Sequence, residues 1–309
     1  MRTVFLGTSE FAAAVLERLA DGPHRPVLVV TRPDRPSGRG RRLSPPPVAL
    51  TAEQLGLELY QPESVNAEES LARIAAAAPE AVVVCAFGAL VKEPLLSSYE
   101  MLNVHPSLLP RWRGAAPIER AIMAGDAETG VSIMRLVAGL DSGPVCLVRG
   151  EPIEAGDTYG SLTGRLQTLS GELIVEVLGE FEAGAPPAFH EQDESGVTYA
   201  AKIEPADRLL DPESSAAELE RRVRALEPHI GTRVQLADGT MLKVLRAAVA
   251  DEALAASSGA DGDGAVRVVD GRLVLRCADG ALELLEVQHP GGRPMDGASY
   301  VRGRPLPSA

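Results

Sequence analysis

Apolar runs and amphipathic segments alternate along residues 1–180. Short runs rich in Val, Leu and Ala predict strands at 3–6, 27–31, 58–60, 81–86, 101–105, 131–137 and 144–148. Apolar residues at helical spacing predict helices at 10–20, 47–55, 70–78, 116–123 and 158–182. Alternating strands and helices are typical of an α/β domain built on a parallel sheet, and this is the fold we expect for the first part of the chain.

The pattern changes beyond residue 183. Residues 183–197 begin with Ala-Gly-Ala-Pro-Pro and continue as a polar run, which is typical of a linker. Asp-Gly dipeptides at 238–239, 270–271 and 279–280 are flanked by alternating or β-branched runs, the strongest local signal for hairpins. Residues 251–264, rich in Ala, Ser, Gly and Asp, predict a mobile loop. We therefore predict a domain at 1–183, a linker at 184–204 and a small antiparallel β-barrel domain at 205–309.

The predicted strand at 101–105 carries two polar residues on one face. Asn103 and His105 are two positions apart, so their side chains point to the same side of the strand. Pro106 ends the strand, because proline cannot donate to the hydrogen-bond ladder. An amide can donate to a developing oxyanion, and an imidazole can move a proton. The pair therefore indicates acyl transfer.

Asp141 is a candidate partner for His105. It lies between glycines in a tight turn at 139–143, after a predicted strand. A carboxylate at this position can reach the imidazole and favour its charged form. Aspartate is also common as a capping residue in glycine-rich turns, and the residues alone favour neither role.

Composition is typical of a globular protein kept in a reducing compartment. Of the 309 residues, 45% are hydrophobic and 24% are charged, and no run reaches the length of a membrane span. Residues 1–3 lead directly into a predicted strand, so we expect no signal peptide. The three cysteines, Cys85, Cys146 and Cys277, are too few and too widely spaced for a disulfide framework. These features together predict a cytoplasmic protein.

A cluster of arginines contrasts with the net charge of −13. An acidic chain is not expected to bind nucleic acid non-specifically. Residues 32–42 nevertheless contain five arginines, Arg32, Arg35, Arg39, Arg41 and Arg42, with only one aspartate among them. The alternative is a solvated loop that serves solubility. We favour phosphate binding, because arginines in a loop rich in Gly and Pro can reach phosphates flexibly.

Other common chemistries have little support in the sequence. Gly7 follows the first strand, but the second and third glycines of a dinucleotide-binding fingerprint are missing. The chain has no P-loop motif, which leaves ATP chemistry without support. The five histidines are scattered without the spacing of metal ligands, so we expect no metal site.

Several of these segments together resemble one enzyme family. The pattern Asn-x-His-x-Ser-Leu-Leu-Pro-x-x-Arg-Gly-Ala-Ala-Pro-Ile at 103–118, followed by Gly-Leu-Asp-x-Gly at 139–143, is similar to 10-formyltetrahydrofolate-dependent formyltransferases. Segments at 5–12, 32–40, 197–203 and 292–295 resemble the branch that formylates methionyl-tRNA. Residues 209–212 and 226–230 lack aromatic side chains that members often carry, and Pro106 stands where many relatives have glycine. The first departure concerns how tRNA is contacted, not the chemistry.

The resemblance implies transfer of a formyl group from 10-formyltetrahydrofolate, as co-substrate, to the α-amino group of methionyl-initiator tRNA. It implies a Rossmann-like catalytic domain followed by an OB-like tRNA-binding barrel, and we expect a monomer without a metal. The implied catalytic residues are Asn103, His105 and Asp141. The implied folate-binding residues are Phe87, Gly88, Ala89, Leu90, Ser107, Leu108, Leu109 and Pro110. The implied tRNA-binding residues are Arg32, Arg35, Arg39, Arg41 and Arg42.

Two alternatives remain at this point. One is a folate-dependent formyltransferase that acts on a sugar nucleotide or another small amine, against which the arginine cluster and the separate β-domain argue. The other is a noncatalytic RNA-binding module, against which the presence of Asn103, His105 and Asp141 argues.

Overall fold

The computed structural model describes residues 1–37, 42–257 and 265–304. The chain divides into two compact units. The first comprises Met1–Pro117, Glu128–Pro152 and Thr163–Ala200, and the second comprises Ile118–Ala127, Ile153–Leu162 and Ala201–Ala309. Each unit is described separately below.

The described residues form helices and strands in both units. The helices are α1 (Glu10–Asp21), α2 (Pro47–Gln54), α3 (Glu68–Ala76), α4 (Leu95–Ser98), α5 (Pro117–Ala124), α6 (Tyr159–Glu182), α7 (Ala216–Leu226), α8 (Glu252–Ser257) and α9 (Gly297–Gly303). The strands up to residue 200 are β1 (Thr3–Gly7), β2 (Pro26–Val30), β3 (Arg35–Ser37), β4 (Arg42–Ser44), β5 (Leu59–Tyr60), β6 (Ala81–Cys85), β7 (Glu100–His105), β8 (Arg113–Gly114), β9 (Glu128–Arg135), β10 (Val145–Pro152) and β11 (Tyr199–Ala200). The remaining strands are β12 (Thr232–Gln235), β13 (Met241–Val249), β14 (Val266–Val269), β15 (Arg272–Cys277), β16 (Gly280–Gln288) and β17 (Met295–Asp296). Within the described ranges, no helix has the length and apolar character needed to cross a membrane.

The first unit is built on a seven-stranded sheet in the order β10-β9-β7-β6-β1-β2-β5. The five strands from β5 to β7 are parallel, as predicted, but β9 and β10 run antiparallel at one edge. Residues 136–144 alone join β9 to β10, which is too short a connection for a parallel crossover. The predicted α/β fold is confirmed, and its sheet is mixed.

Strand β1 marks the switch point of the sheet, because the chain adds strands first on one side of it and then on the other. The chain adds β2 and β5 on one side of β1, and β6 and β7 on the other. Open α/β sheets bind ligands outside the carboxyl ends of the strands at such a switch point. Gly7 ends β1 there, and a Cβ on it would lie 2.5 Å from the Phe5 ring and 2.8 Å from Ala12. Only glycine allows this close approach of the strand to α1, whose predicted cap Ser9 accepts from the Ala12 amide.

Completely buried aliphatic side chains form the centre of the first unit. Strands β1, β2 and β6 contribute residues that are inaccessible to solvent, and α3 and α4 pack on them through Ile74 and Leu95. Continuous burial of this kind is typical of parallel strands that are covered on both faces. This part of the sheet is therefore a rigid support for the segments that follow its strands.

The second unit contains an antiparallel sheet in the order β12-β13-β16-β15-β14, with β17 paired to β16. All three predicted Asp-Gly segments lie at turns between its strands. Asp270 and Gly271 both have positive φ angles, 49° and 75°, as a two-residue type I′ turn requires. The antiparallel domain is thus confirmed. The pairing among the described strands is an open path, so closure into a barrel stays a prediction.

The predicted loop at 251–264 is partly helical. Asp251 accepts a hydrogen bond from the Leu254 amide at the start of α8, which is how aspartate caps a helix. The Leu254 side chain is buried and packs against Val274 and Ala281. The prediction was wrong for α8 because the composition hides this one apolar anchor. Residues 258–264 lie outside the described ranges.

Candidate active site

Asn103 and His105 lie on the central part of the first sheet, near the carboxyl end of β7. Strand β7 is paired with β6 on one side and β9 on the other. The residues are only 8% and 4% exposed, respectively. Within the described part of the chain, the Asn103 amide has no hydrogen-bond partner. It is therefore available to donate to a bound substrate.

The His105 ring is oriented by a backbone carbonyl. Its Nε2 lies 2.9 Å from the Trp112 carbonyl oxygen. A carbonyl can only accept, so Nε2 must carry a proton, and in the neutral ring Nδ1 is then the basic nitrogen. Trp112 has a φ of 66°, a rare left-handed conformation for a bulky residue. The chain thus holds an uncommon backbone geometry at the residue that orients the ring.

Asp141 faces the basic nitrogen of this ring. Its Oδ2 lies 3.7 Å from His105 Nδ1, and its side chain is 14% exposed. The same Oδ2 accepts a hydrogen bond of 2.8 Å from the Gly114 amide. Asp141 therefore contacts a segment outside its own turn, and its carboxylate stabilises a positive charge on the ring when Nδ1 is protonated.

Glycine is required in the turn that carries Asp141. A Cβ at Gly143 would lie 1.9 Å from the Arg135 carbonyl oxygen, so no larger residue fits there. Asp141 itself has a φ of 45°, which aspartate tolerates better than most residues. These two features place the carboxylate toward β7.

The first predicted folate-binding segment, Phe87 to Leu90, follows β6 at the switch point. The Thr8 hydroxyl donates to the Phe87 carbonyl at 2.7 Å, and the Asn66 amide donates to the Leu90 carbonyl at 2.7 Å. Gly88 has a φ of 69°, and the Leu90 side chain is 64% exposed. Two side chains from other segments therefore hold a loop whose tip is an exposed apolar residue.

The second predicted folate-binding segment, Ser107 to Pro110, is held mainly through buried contacts. The Ser107 hydroxyl is fully buried and donates to the Arg111 carbonyl at 2.6 Å. The Ser132 hydroxyl donates to the Ser107 carbonyl and accepts from the Leu109 amide. Leu108 is half-buried. Leu109 and Pro110 line a cavity of about 240 Å³ together with residues 145–148 and 190–193.

The predicted tRNA-binding arginines begin next to the first of these segments. The Arg32 guanidinium lies beside Gly88, where an added Cβ would be 3.6 Å from its Nη1. Arg35, in β3, forms an exposed ion pair with Glu63 at 3.0 Å. Arg42 begins β4, which pairs with β3 as a short hairpin. Arg39 and Arg41 lie outside the described residues.

The described residues contain no candidate metal centre. Across residues 1–37, 42–257 and 265–304, no three His, Cys, Asp or Glu residues are grouped closely enough to hold a metal ion.

The sequence analysis missed the groups that contact and orient His105 and Asp141. Trp112 and Gly114 act through their backbone and lie within the recognised pattern at 103–118, so their position was a signal but their side chains were not. Gln192 donates to the carbonyls of Asp141 and Gly143, and nothing in the local sequence points to it.

The chain is similar to known proteins over nearly its whole length. A family model described as formyl transferase matches residues 1–178, and one described as the formyl transferase C-terminal domain matches residues 202–305. The chain is 45% identical over 310 aligned positions to a methionyl-tRNA formyltransferase from Halorhodospira halophila, covering 99% of this chain and 97% of that protein. It is 42% identical to one from Dechloromonas aromatica, again covering 99% and 97%.

Solved structures with low sequence identity share the fold. HypX from Aquifex aeolicus, solved with tetrahydrofolic acid, matches 97% of this chain with a TM-score of 0.64 and 18% identity, and this chain spans 47% of that one. An N-formyltransferase from Helicobacter canadensis, solved with folinic acid and dTDP-3-aminofucose, matches 92% of this chain and 98% of its own with a TM-score of 0.63 and 13% identity. With family models that cover both parts of the sequence and relatives that span its full length, the chain belongs to the formyl transferase family.

Proposed function

We propose that this protein transfers the formyl group of 10-formyltetrahydrofolate to the α-amino group of methionyl-initiator tRNA. The observation that carries the chemistry is the 3.7 Å approach of His105 Nδ1 to the Asp141 carboxylate. Asn103 lies on the same strand face as His105, and its amide has no hydrogen-bond partner among the described residues. The substrate assignment is supported by relatives that are more than 40% identical over the whole length and are named for this reaction.

The reaction forms one bond and breaks another at the formyl carbon. The neutral α-amine of the methionyl group attacks that carbon, and negative charge develops on the formyl oxygen. Asn103 donates a hydrogen bond to this oxygen. The bond from the carbon to the folate nitrogen then breaks, which gives the formylated amine and tetrahydrofolate.

His105 handles the proton that must move between the two nitrogens. Its Nδ1 accepts a proton from the attacking amine and returns it to the departing folate nitrogen. The Trp112 carbonyl keeps Nε2–H fixed throughout, and Asp141 stabilises the transient positive charge on the ring. The imidazole therefore acts in one tautomer and one orientation.

Positive charge supports tRNA binding in both units. Arg32, the first arginine of the predicted tRNA-binding segment, lies beside Gly88 in the predicted folate loop. In the second unit, Arg233 and Lys243 are direct cross-strand neighbours on β12 and β13. Burial and the Arg233 charge lower the pKa of Arg208. Like charges that face each other destabilise a sheet, and a polyanion offsets that repulsion.

We assign catalysis and tRNA binding to separate domains. Residues 1–183 form the catalytic domain, residues 184–204 the linker and residues 205–309 the tRNA-binding domain. The enzyme acts as a monomer in the cytoplasm, where translation begins. Light scattering on the purified protein, with and without tRNA, tests the monomeric state.

Formylation of charged initiator tRNA tests the reaction directly. The purified protein, 10-formyltetrahydrofolate and methionyl-initiator tRNA are expected to give N-formylmethionyl-tRNA, with elongator methionyl-tRNA as a much poorer substrate. A dTDP-amino sugar serves as the competing acceptor. Faster formylation of the sugar nucleotide than of the tRNA, or no turnover of the charged initiator tRNA, overturns the proposed function.

A further inference from the structure

The short segment Trp112 to Gly114 contacts both His105 and Asp141. Trp112 holds the His105 ring through its carbonyl, and Gly114 holds the Asp141 carboxylate through its amide. The residue between them, Arg113, has a side chain that is only 4% exposed. Its guanidinium Nε donates to Gln192 Oε1 at 2.9 Å.

The Gln192 amide connects this arginine to the backbone of the Asp141 turn. Its Nε2 donates to the Asp141 carbonyl at 2.9 Å and to the Gly143 carbonyl at 2.7 Å. The orientation of the amide follows from its partners, because a guanidinium only donates and a carbonyl only accepts. Both hydrogens on Nε2 and one lone pair on Oε1 are therefore used.

The second partner of Arg113 contributes little to this arrangement. Arg113 also pairs with Glu194 at 2.9 Å, but the Glu194 side chain is 77% exposed. An ion pair to so exposed a carboxylate is weakened by solvent and salt. The partly buried bond to Gln192, whose acceptor is less exposed than Glu194, is the one that fixes the guanidinium.

The segment that carries the pair is itself anchored. Strand β8 pairs with β11, and the Arg113 amide donates to the Thr198 carbonyl at 2.9 Å. The Thr198 hydroxyl accepts from the Trp112 amide at 2.9 Å. Gln192 and Thr198 both lie between the regions matched by the two family models, in the stretch predicted as a linker. This stretch thus reaches back to the candidate active site.

We propose that Gln192, fixed by Arg113, is a positioning residue that holds the Asp141 turn so that the carboxylate faces His105 Nδ1. Gln192 touches no reacting atom and acts through Asp141. The proposal rests on the proposed function, in which Asp141 stabilises the charged ring. Displacement of a catalytic group by about 1 Å can cost on the order of 100-fold in rate, so removal of both donors is expected to lower kcat without a matching change in KM.

The test compares Gln192→Met with wild type and with Gln54→Met, the same change at an exposed glutamine on α2. Steady-state formylation is measured per mole of protein that circular dichroism shows to be folded. For Gln192→Met we expect kcat to fall about 10- to 100-fold, with KM for each substrate within about 3-fold of wild type. Gln54→Met is expected to match wild type. A kcat for Gln192→Met within about 2-fold of wild type overturns the proposal.

A double-mutant cycle distinguishes positioning from a general structural role. If Gln192 acts through Asp141, adding Gln192→Met to Asp141→Ala costs less than about 3-fold further in kcat. Equal reductions in both backgrounds overturn the proposal. A readout independent of turnover is the ¹⁵N signal of the His105 ring, identified with His105→Gln. It is expected to shift in Gln192→Met and not in Gln54→Met. If wild type fails to formylate methionyl-tRNA, the proposed function fails, and this signal alone decides: an unchanged signal overturns the positioning role.

Discussion

The candidate catalytic site and the predicted tRNA-binding arginines are built in opposite ways. The His105 side chain is 5% exposed and is oriented by backbone groups from Trp112 and, through Asp141, from Gly114. The Arg35 side chain is 58% exposed, and its partner Glu63 is 79% exposed. The first arrangement fixes atoms in place. The second provides positive charge on a surface segment.

This difference predicts which kinetic constant, kcat or KM, each region determines. Groups that stabilise the transition state must be held in place before the substrate arrives, because reorganisation during the reaction would cost rate. Phosphate contacts supply affinity that depends on salt and tolerates small displacements. Changes at the catalytic site should therefore lower kcat, and changes in the arginine segment should raise KM for tRNA.

The largest effect is expected for His105→Ala. Removal of the ring eliminates the proton carrier, and general acid–base catalysis is worth about 10²–10⁴ in rate. Single-turnover formylation at saturating substrates measures the decrease. Gln54→Ala is the control, since Gln54 is an exposed residue on α2 in the same unit and lies outside the candidate site. A His105→Ala rate within about 10-fold of wild type would contradict the assigned role.

Asn103 is expected to follow closely. Asn103→Ala removes one donor to the oxyanion, which typically costs about 10²–10³ in kcat. Asn103→Asp keeps the shape of the side chain but loses the N–H donors, so its kcat should be equally low. Retained activity in Asn103→Asp would show that hydrogen-bond donation is not what Asn103 contributes.

The parts predictable from sequence are those that local rules determine. Alternation placed Asn103 and His105 on one face of β7, and Asp-Gly pairs identified the turn at Asp270. Proline at 106 marked the end of the strand. Each of these features is decided by residues within a few positions of one another.

The rest depends on contacts between distant parts of the chain. The antiparallel direction of β9 and β10 follows from how the chain returns to the sheet, which their side-chain pattern does not record. Trp112 and Gly114 act through backbone atoms that every residue possesses. Gln192 lies 51 positions from Asp141, in a polar stretch whose composition resembles that of a linker. Only the tertiary structure brings these groups into contact with His105 and Asp141.

Neutralising Arg39, Arg41 and Arg42 tests whether the arginine segment contributes to tRNA binding. The triple change to Gln should raise KM for tRNA at least about tenfold and leave KM for the folate unchanged. The slope of log affinity against log salt should fall by about 0.7–0.9 for each phosphate that the variant no longer binds. Arg73→Gln is the control, because Arg73, on α3, is half-exposed and paired with Glu58. If only the folate KM rises, the segment serves the co-substrate.

The smallest effect is expected for Leu43→Cys, which measures the solvent exposure of the hairpin formed by β3 and β4. Leu43 lies in β4 and is 70% exposed, so a cysteine there should be alkylated nearly as fast as a free thiol. Burial raises the pKa of Cys146 and Cys277 to about 11, and that of Cys85 further. Because the thiolate is the nucleophile, at about pH 8 Cys146 and Cys277 should react about 100-fold more slowly than a free thiol, and Cys85 more slowly still. Bound methionyl-tRNA should slow alkylation at position 43 in low salt, and that protection should vanish in high salt. Equal rates with and without tRNA would show that this hairpin stays free of the tRNA.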